Sequence, residues 1–188
     1  MKVAKGFEKD VSDAVLMTTR GGSFYDRTFL SSFIRPGIGA RNWVSRNNYP
    51  ALGIVQTSPT EMSLYVNQDY AQPTAHLKRY SLRLDGFASV QAPYAGGELL
   101  TKPLKFTGDR LELNFSTSAA GSIRVEIQDD AGQPINGFAA GDCVEIVGNE
   151  IARVIRWKGG ADVSGLVGKT VRLRFVMKDA DLFSFQFR

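Results

Sequence analysis

Apolar and polar residues alternate with period two through most of the second half of the chain. Leu111, Leu113 and Phe115 point one way while Glu112 and Asn114 point the other. The same alternation recurs at Ile123, Val125 and Ile127, at Val171, Leu173 and Phe175, and at Phe183, Phe185 and Phe187. Successive side chains of a strand point to opposite faces, so this pattern predicts strands with one buried and one solvated face. The predicted strands are residues 98–106, 110–118, 122–128, 151–157, 170–178 and 182–188. Short strands with turn signals between them predict an all-β fold, a β-sandwich of jelly-roll type.

The first half is less regular. Residues 11–19 read as a strand closed by Arg20-Gly21-Gly22, and residues 24–33 fit a short helix or a strand. Ile34-Arg35-Pro36-Gly37 breaks the pattern, because proline cannot donate a ladder bond and glycine permits positive φ. Residues 53–57, 61–67 and 76–84 follow as strands, with Met62, Leu64 and Val66 on one face and Tyr80, Leu82 and Leu84 on another. Asp85-Gly86 is a tight-turn pair leading to a strand at residues 87–90. The best boundary lies at Thr57-Ser58-Pro59-Thr60, which gives a strand-rich segment at 1–59 and a sandwich at 60–188.

Composition narrows the function classes. Hydrophobic residues make up 43% of 188 residues, enough for a core, and 22% charged residues is near the globular average. The net charge of +4 is dispersed, with no dense Lys/Arg block carrying aromatics, so a nucleic-acid partner is not expected. Weak attraction to acidic polymers remains open. No apolar run approaches eighteen residues, so neither a membrane helix nor a membrane partner is expected. Met1 to Asp10 has charge but no apolar stretch, unlike a signal peptide. The expected compartment is the cytoplasm, or the periplasm or exterior if a longer parent carries an export signal.

The chain has one cysteine, Cys143, and one histidine, His76. That excludes an internal disulfide, a His-pair zinc site and a dyad of His76 with any other cysteine, and no metal or cofactor is expected. Asp129-Asp130-Ala131-Gly132 reads as a hairpin turn, whose two carboxylates are also compatible with calcium. Asp162 suits the cap of a short helical turn. There is no Gly-x-Ser-x-Gly elbow and no phosphate-cradling glycine loop.

Two stretches carry a resemblance. One includes Met17-Thr18-Thr19-Arg20-Gly21-Gly22, Tyr25-Asp26-Arg27-Thr28-Phe29, Phe33-Ile34-Arg35-Pro36-Gly37, Asn42-Trp43 and Pro59-Thr60-Glu61-Met62-Ser63-Leu64-Tyr65. The other runs from Thr101-Lys102-Pro103-Leu104 to Arg188, through Arg156-Trp157-Lys158-Gly159-Gly160 and Val171-Arg172-Leu173-Arg174-Phe175. Both resemble the C-terminal part of bacterial proteins similar to glycoside hydrolase family 32. The resemblance implies the last strands of a five-bladed β-propeller, a partial blade here, followed by a β-sandwich. Five blades need far more chain than the first segment offers. The blades that carry the family's acids are absent, and no catalytic residue transfers to a numbered position.

Glycoside hydrolysis needs two carboxyl groups flanking the scissile bond. The local candidates are Asp26 and Glu61, although Asp26 beside Arg27 also fits a salt bridge pinning a loop. Arg20, Arg35, Asn42, Trp43, Arg46 and Tyr49 are the candidate sugar contacts, because sugars bind through aromatic faces and planar hydrogen-bonding groups held on loops. Trp43 and Trp157 also fit packing anchors. The expected role is a catalytically incomplete part of a carbohydrate-active enzyme, whose partners are an oligo- or polysaccharide and upstream blades or another copy of the chain. The alternatives are a stand-alone lectin-like module and a structural or oligomerisation domain.

Overall fold

A computed structural model describes residues 11–188. The N-terminal decapeptide read for a signal peptide lies outside them. The protein is all-β, with curled sheets, one of them a half-barrel, and no α-helix among the described residues. Contacts divide it into two units, one ending at Leu84 and the other beginning at Asp85. The division expected after residue 59 falls inside the first unit, in the turn between two paired strands.

The first unit holds β1 (Ala14–Val15), β2 (Ser32–Ile34), β3 (Val55–Ser58), β4 (Glu61–Gln68) and β5 (His76–Arg83). β1 pairs with β2, and β3, β4 and β5 form an antiparallel sheet in that order. The strand expected over residues 11–19 is thus two residues of ladder, plus an isolated bridge from Thr18 to Asp26. β4 follows its alternation: Met62, Leu64 and Val66 are buried, and Leu64 stands opposite Tyr80 on β5. The core cluster of this unit is small, with Ile34, Leu64 and Val66 buried and Ala14, Tyr80 and Leu82 packed around them.

The second unit holds β6 (Val90–Ala92), β7 (Gly97–Leu100), β8 (Leu111–Gln128), β9 (Asn149–Val154) and β10 (Arg172–Phe187). They form one sheet in the order β6-β10-β8-β9, with β7 pairing nearer the start of β10. The four strands expected over 110–118, 122–128, 170–178 and 182–188 are two long ones that bend without breaking. Ser118-Ala119-Ala120-Gly121, read as turn-like, is the bend of β8.

Bulges set which residues face inward. Along β10 the buried positions are Leu173, Phe175 and Met177, then Ala180 and Leu182. Phe185 and Phe187 pack against the same core. Register shifts lie between Lys178 and Ala180 and between Leu182 and Ser184. Each inserted residue changes the parity of the inward face. The aromatic stripe therefore delivers Phe185 and Phe187 inward, with Phe183 at the second bulge.

β8, the neighbour of β10 in this sheet, and the segments after it fill the same core. Leu111, Leu113, Phe115, Ile123, Val125 and Ile127 are fully buried. Phe106 stacks on Phe187 with ring centroids 3.8 Å apart. Trp157, 2% exposed, donates from Nε1 to the Val125 carbonyl at 2.9 Å and meets Phe138 edge-on at 5.1 Å. It is a packing anchor, as its place before the glycine pair allowed. Cys143 is buried, and its Sγ accepts the Val125 N–H at 3.2 Å. The Asp129 turn closes on itself, with Oδ1 accepting the Gln133 N–H at 2.8 Å.

Candidate functional site

Five of the six expected sugar contacts, all but Arg20, lie in the loop that crosses from β2 to β3. Its conformation is dictated by buried amides. Asn47 and Asn48 are fully buried, and Gln68 nearly so. Burying amides is costly unless each donor and acceptor is paired. Here the pairing is extensive. Asn47 Nδ2 donates to the Arg41 carbonyl at 3.2 Å, and its Oδ1 accepts the Tyr70 N–H at 2.6 Å. Asn48 Nδ2 donates to the Ser12 carbonyl at 2.7 Å, and its Oδ1 accepts from Gln68 Nε2 at 2.8 Å. Asn42 Nδ2 donates to Gln68 Oε1 at 2.5 Å, while its Oδ1 accepts the Asp69 N–H at 2.7 Å.

That network fixes the backbone from which the exposed side chains project. Arg46 and Asn48 sit at φ of 63° and 60°, a conformation asparagine tolerates better than most residues. Trp43 is 51% exposed, and its Nε1 donates to the Gly37 carbonyl at 3.0 Å. The hydrogen bond orients the indole while leaving half of it open. Arg46 is exposed, donates from Nη1 to the Tyr70 hydroxyl at 3.1 Å and lies 5.8 Å from that ring's centroid. The hydrogen bond to Tyr70 raises the Arg46 guanidinium above its ordinary value. Tyr49 is exposed, and its carbonyl accepts the Asn67 N–H at 3.1 Å.

The sequence-derived candidates therefore separate. Asn42 belongs to the buried scaffold, and its amide is spent there. Trp43, Arg46 and Tyr49 are the exposed candidates of the loop. Arg35 is exposed two residues before Gly37, to which Trp43 is tied, and has no hydrogen bond or ion pair among the described residues. Arg20 lies in a separate bend near Asp26. Asn47, Asn48, Gln68 and Tyr70 were not among the expected residues. The Asn47-Asn48 pair was the available signal, since adjacent asparagines suit a left-handed bend with side-chain-to-backbone bonds.

Neither candidate acid is free. Asp26 Oδ1 accepts the Thr28 N–H at 2.9 Å and the Thr28 hydroxyl at 2.5 Å. Those bonds hold its carboxyl below the usual aspartate range. The salt bridge to Arg27 weighed for it is replaced by this turn. Glu61 pairs with Arg79 across the β4–β5 ladder and accepts the Thr57 hydroxyl at 3.0 Å. No hydrogen bond or ion pair joins Asp26 to Glu61. Among the described residues no group of three metal-ligating side chains comes together.

Comparison of the chain with family models, with curated proteins and with solved structures finds no match.

Proposed function

We propose that this chain is a carbohydrate-recognition and support module of a protein similar to glycoside hydrolase family 32, without a complete catalytic pair of its own. The observation that carries the reading is Trp43, tethered through Nε1 to Gly37 and half exposed, on a loop locked by buried amides. An indole held in place loses little entropy when a sugar stacks on it, and the exposed guanidinium of Arg46, three residues on in the same loop, offers donors to hydroxyls. The hydrogen-bonded state of Asp26 and the Arg79 pairing of Glu61 favour binding without hydrolysis. A carboxyl lowered by its partners is poorly placed to serve as a general acid.

A second reading, support of another β-element, rests on a different observation. The first unit exposes large apolar side chains, among them Phe24 at 81% and Leu30 at 67%. Upstream blades or another copy of the chain would cover them. This is compatible with sugar binding at Trp43.

The test is a glycan array run beside an aryl-glycoside hydrolysis assay on the purified chain. Binding without turnover, lost in Trp43→Ala for at least one glycan, is the expected result. Hydrolysis by the chain alone would sink the proposal and make Asp26 and Glu61 the first residues to replace.

A further inference from the structure

The second unit has an open cleft of about 470 Å³ that contains none of the candidate acids or sugar contacts considered above. Its charged lining is Asp109, Arg110, Arg156 and Asp162, with Val154 and Ser164 beside them. These come from three places in the chain: the entry to β8, the exit of β9 and the short 3-10 turn Ser164–Leu166. Backbone bonds tie the places together. The Val163 N–H donates to the Asp109 carbonyl at 2.8 Å, and the Ile155 N–H donates to the Leu111 carbonyl at 2.9 Å. The Ser164 N–H is fixed on Asp162 Oδ1 at 2.7 Å, which leaves the other carboxylate oxygen for a ligand.

Arg156 is exposed, and its guanidinium has no hydrogen bond or ion pair among the described residues. It also lines a second, smaller cavity of about 80 Å³ with Val154, so the groove continues past it. Arg110 is partly committed, with Nε 3.3 Å from the buried carboxylate of Glu112.

We propose that this cleft is a separate binding site for a neutral oligosaccharide, with sugar hydroxyls shared between the carboxylates of Asp109 and Asp162 and the guanidinium of Arg156. The charges decide the ligand class. Two carboxylates and two guanidiniums cancel, so the cleft attracts no net charge. A phosphate or sulfate drawn to Arg156 meets Asp109 and Asp162, and an amine drawn to the carboxylates meets Arg156. A hydroxyl both donates and accepts, so adjacent hydroxyls satisfy both kinds of group by charge-assisted bonds without burying an unpaired ion. Val154 supplies an apolar wall for the C–H side of the ring. The hydrogen bonds from Ser164 keep Asp162 ionised at neutral pH, as an acceptor must be here. The site stands on the second unit alone and does not rest on the Trp43 platform.

The test is amide chemical-shift mapping on the full chain, titrated with gluco-, xylo-, manno- and fructo-configured tetrasaccharides and, separately, with sulfate. The expected result is saturable movement of the Asp109, Val163 and Ser164 amides with at least one sugar. Arg156→Ala and Asp109→Asn should each weaken that binding about tenfold or more while leaving the melting temperature unchanged. Sugar-induced movement confined to residues around Trp43 would overturn this site and leave the platform intact. Movement at the cleft with sulfate alone would overturn it in favour of an anion site. No movement with any of the sugars at millimolar concentration would overturn it as well.

Discussion

Gly121 on β8 and Asp179 on β10 face each other with no space for a side chain between them. A methyl group at Gly121 would overlap the Asp179 carbonyl oxygen and lie 2.7 Å from that of Lys178. Asp179 sits at φ of 41° in the bulge, and both obstructing atoms are backbone, so the ladder itself must shift. Gly121→Ala is expected to cost about 1–3 kcal/mol. The melting temperature should fall by at least about 2 °C. An unchanged melting curve would mean that the bend is not held by this approach.

Trp157 predicts a split between two substitutions. Trp157→Phe removes the hydrogen bond to the buried Val125 carbonyl and should cost about 1–3 kcal/mol. Trp157→Ala also removes the ring against Phe138 and should cost about 3–5 kcal/mol. Urea denaturation measures both. A small effect from the alanine variant would contradict its place in the core.

Acid should destabilise the second unit through Arg174. This guanidinium holds Glu98 at 2.5 Å and the buried Glu126 at 3.2 Å. Burial alone would raise the Glu126 carboxyl, but hydrogen bonds from Gln128, the Ala140 N–H and Arg174 outweigh it and lower it below its ordinary 4.5. The Arg174 hydrogen bond likewise lowers Glu98. Lowered folded values mean that the native state binds fewer protons than the unfolded chain. This stability is complete above the ordinary glutamate range and is lost as pH falls through the lowered values. Urea midpoints followed from neutral pH to about pH 3 should drop, and Glu126→Gln should flatten that drop.

Asn48 predicts how firmly the platform is held. Asn48→Ala removes the main acceptor of Gln68 Nε2 and the donor to the Ser12 carbonyl, and puts alanine at φ of 60°. The expected cost is about 1–3 kcal/mol from the unpaired groups. Faster amide exchange across residues 41–50 and loss of the glycan binding that depends on Trp43 should accompany it. Unaltered exchange there would show that the network does not set the loop.

Much of the β-architecture was legible because period-two alternation reports which face a strand buries. Leu111, Leu113, Phe115, Val125 and Leu173 all lie where the alternation puts them. The bulges were not legible. Asp179 and Phe183 look like ordinary strand residues, and only pairing with β8 reveals each as an insertion. The division after Leu84 was hidden for a similar reason: Pro59-Thr60 looks like a linker, but Glu61 pairs back with Ser58 and forward with Arg83. At the candidate site, exposed Trp43, Arg46 and Tyr49 were readable as residue types on a loop. The long-range bonds that hold them, such as Asn42 to Gln68, leave no local signature. The Asp109–Arg156 cleft joins residues far apart in the chain, each of which alone reads as an ordinary surface charge.

The chain has two tryptophans, one half open and one buried, which makes the platform directly observable. The decisive measurement is quenching of tryptophan fluorescence by acrylamide, with and without a saturating concentration of a glycan that scores on the array. Stacking of a sugar on Trp43 predicts that the readily quenched component disappears while the shielded Trp157 component is unchanged. If none of the glycans that bind alters the quenching of Trp43, the account is contradicted.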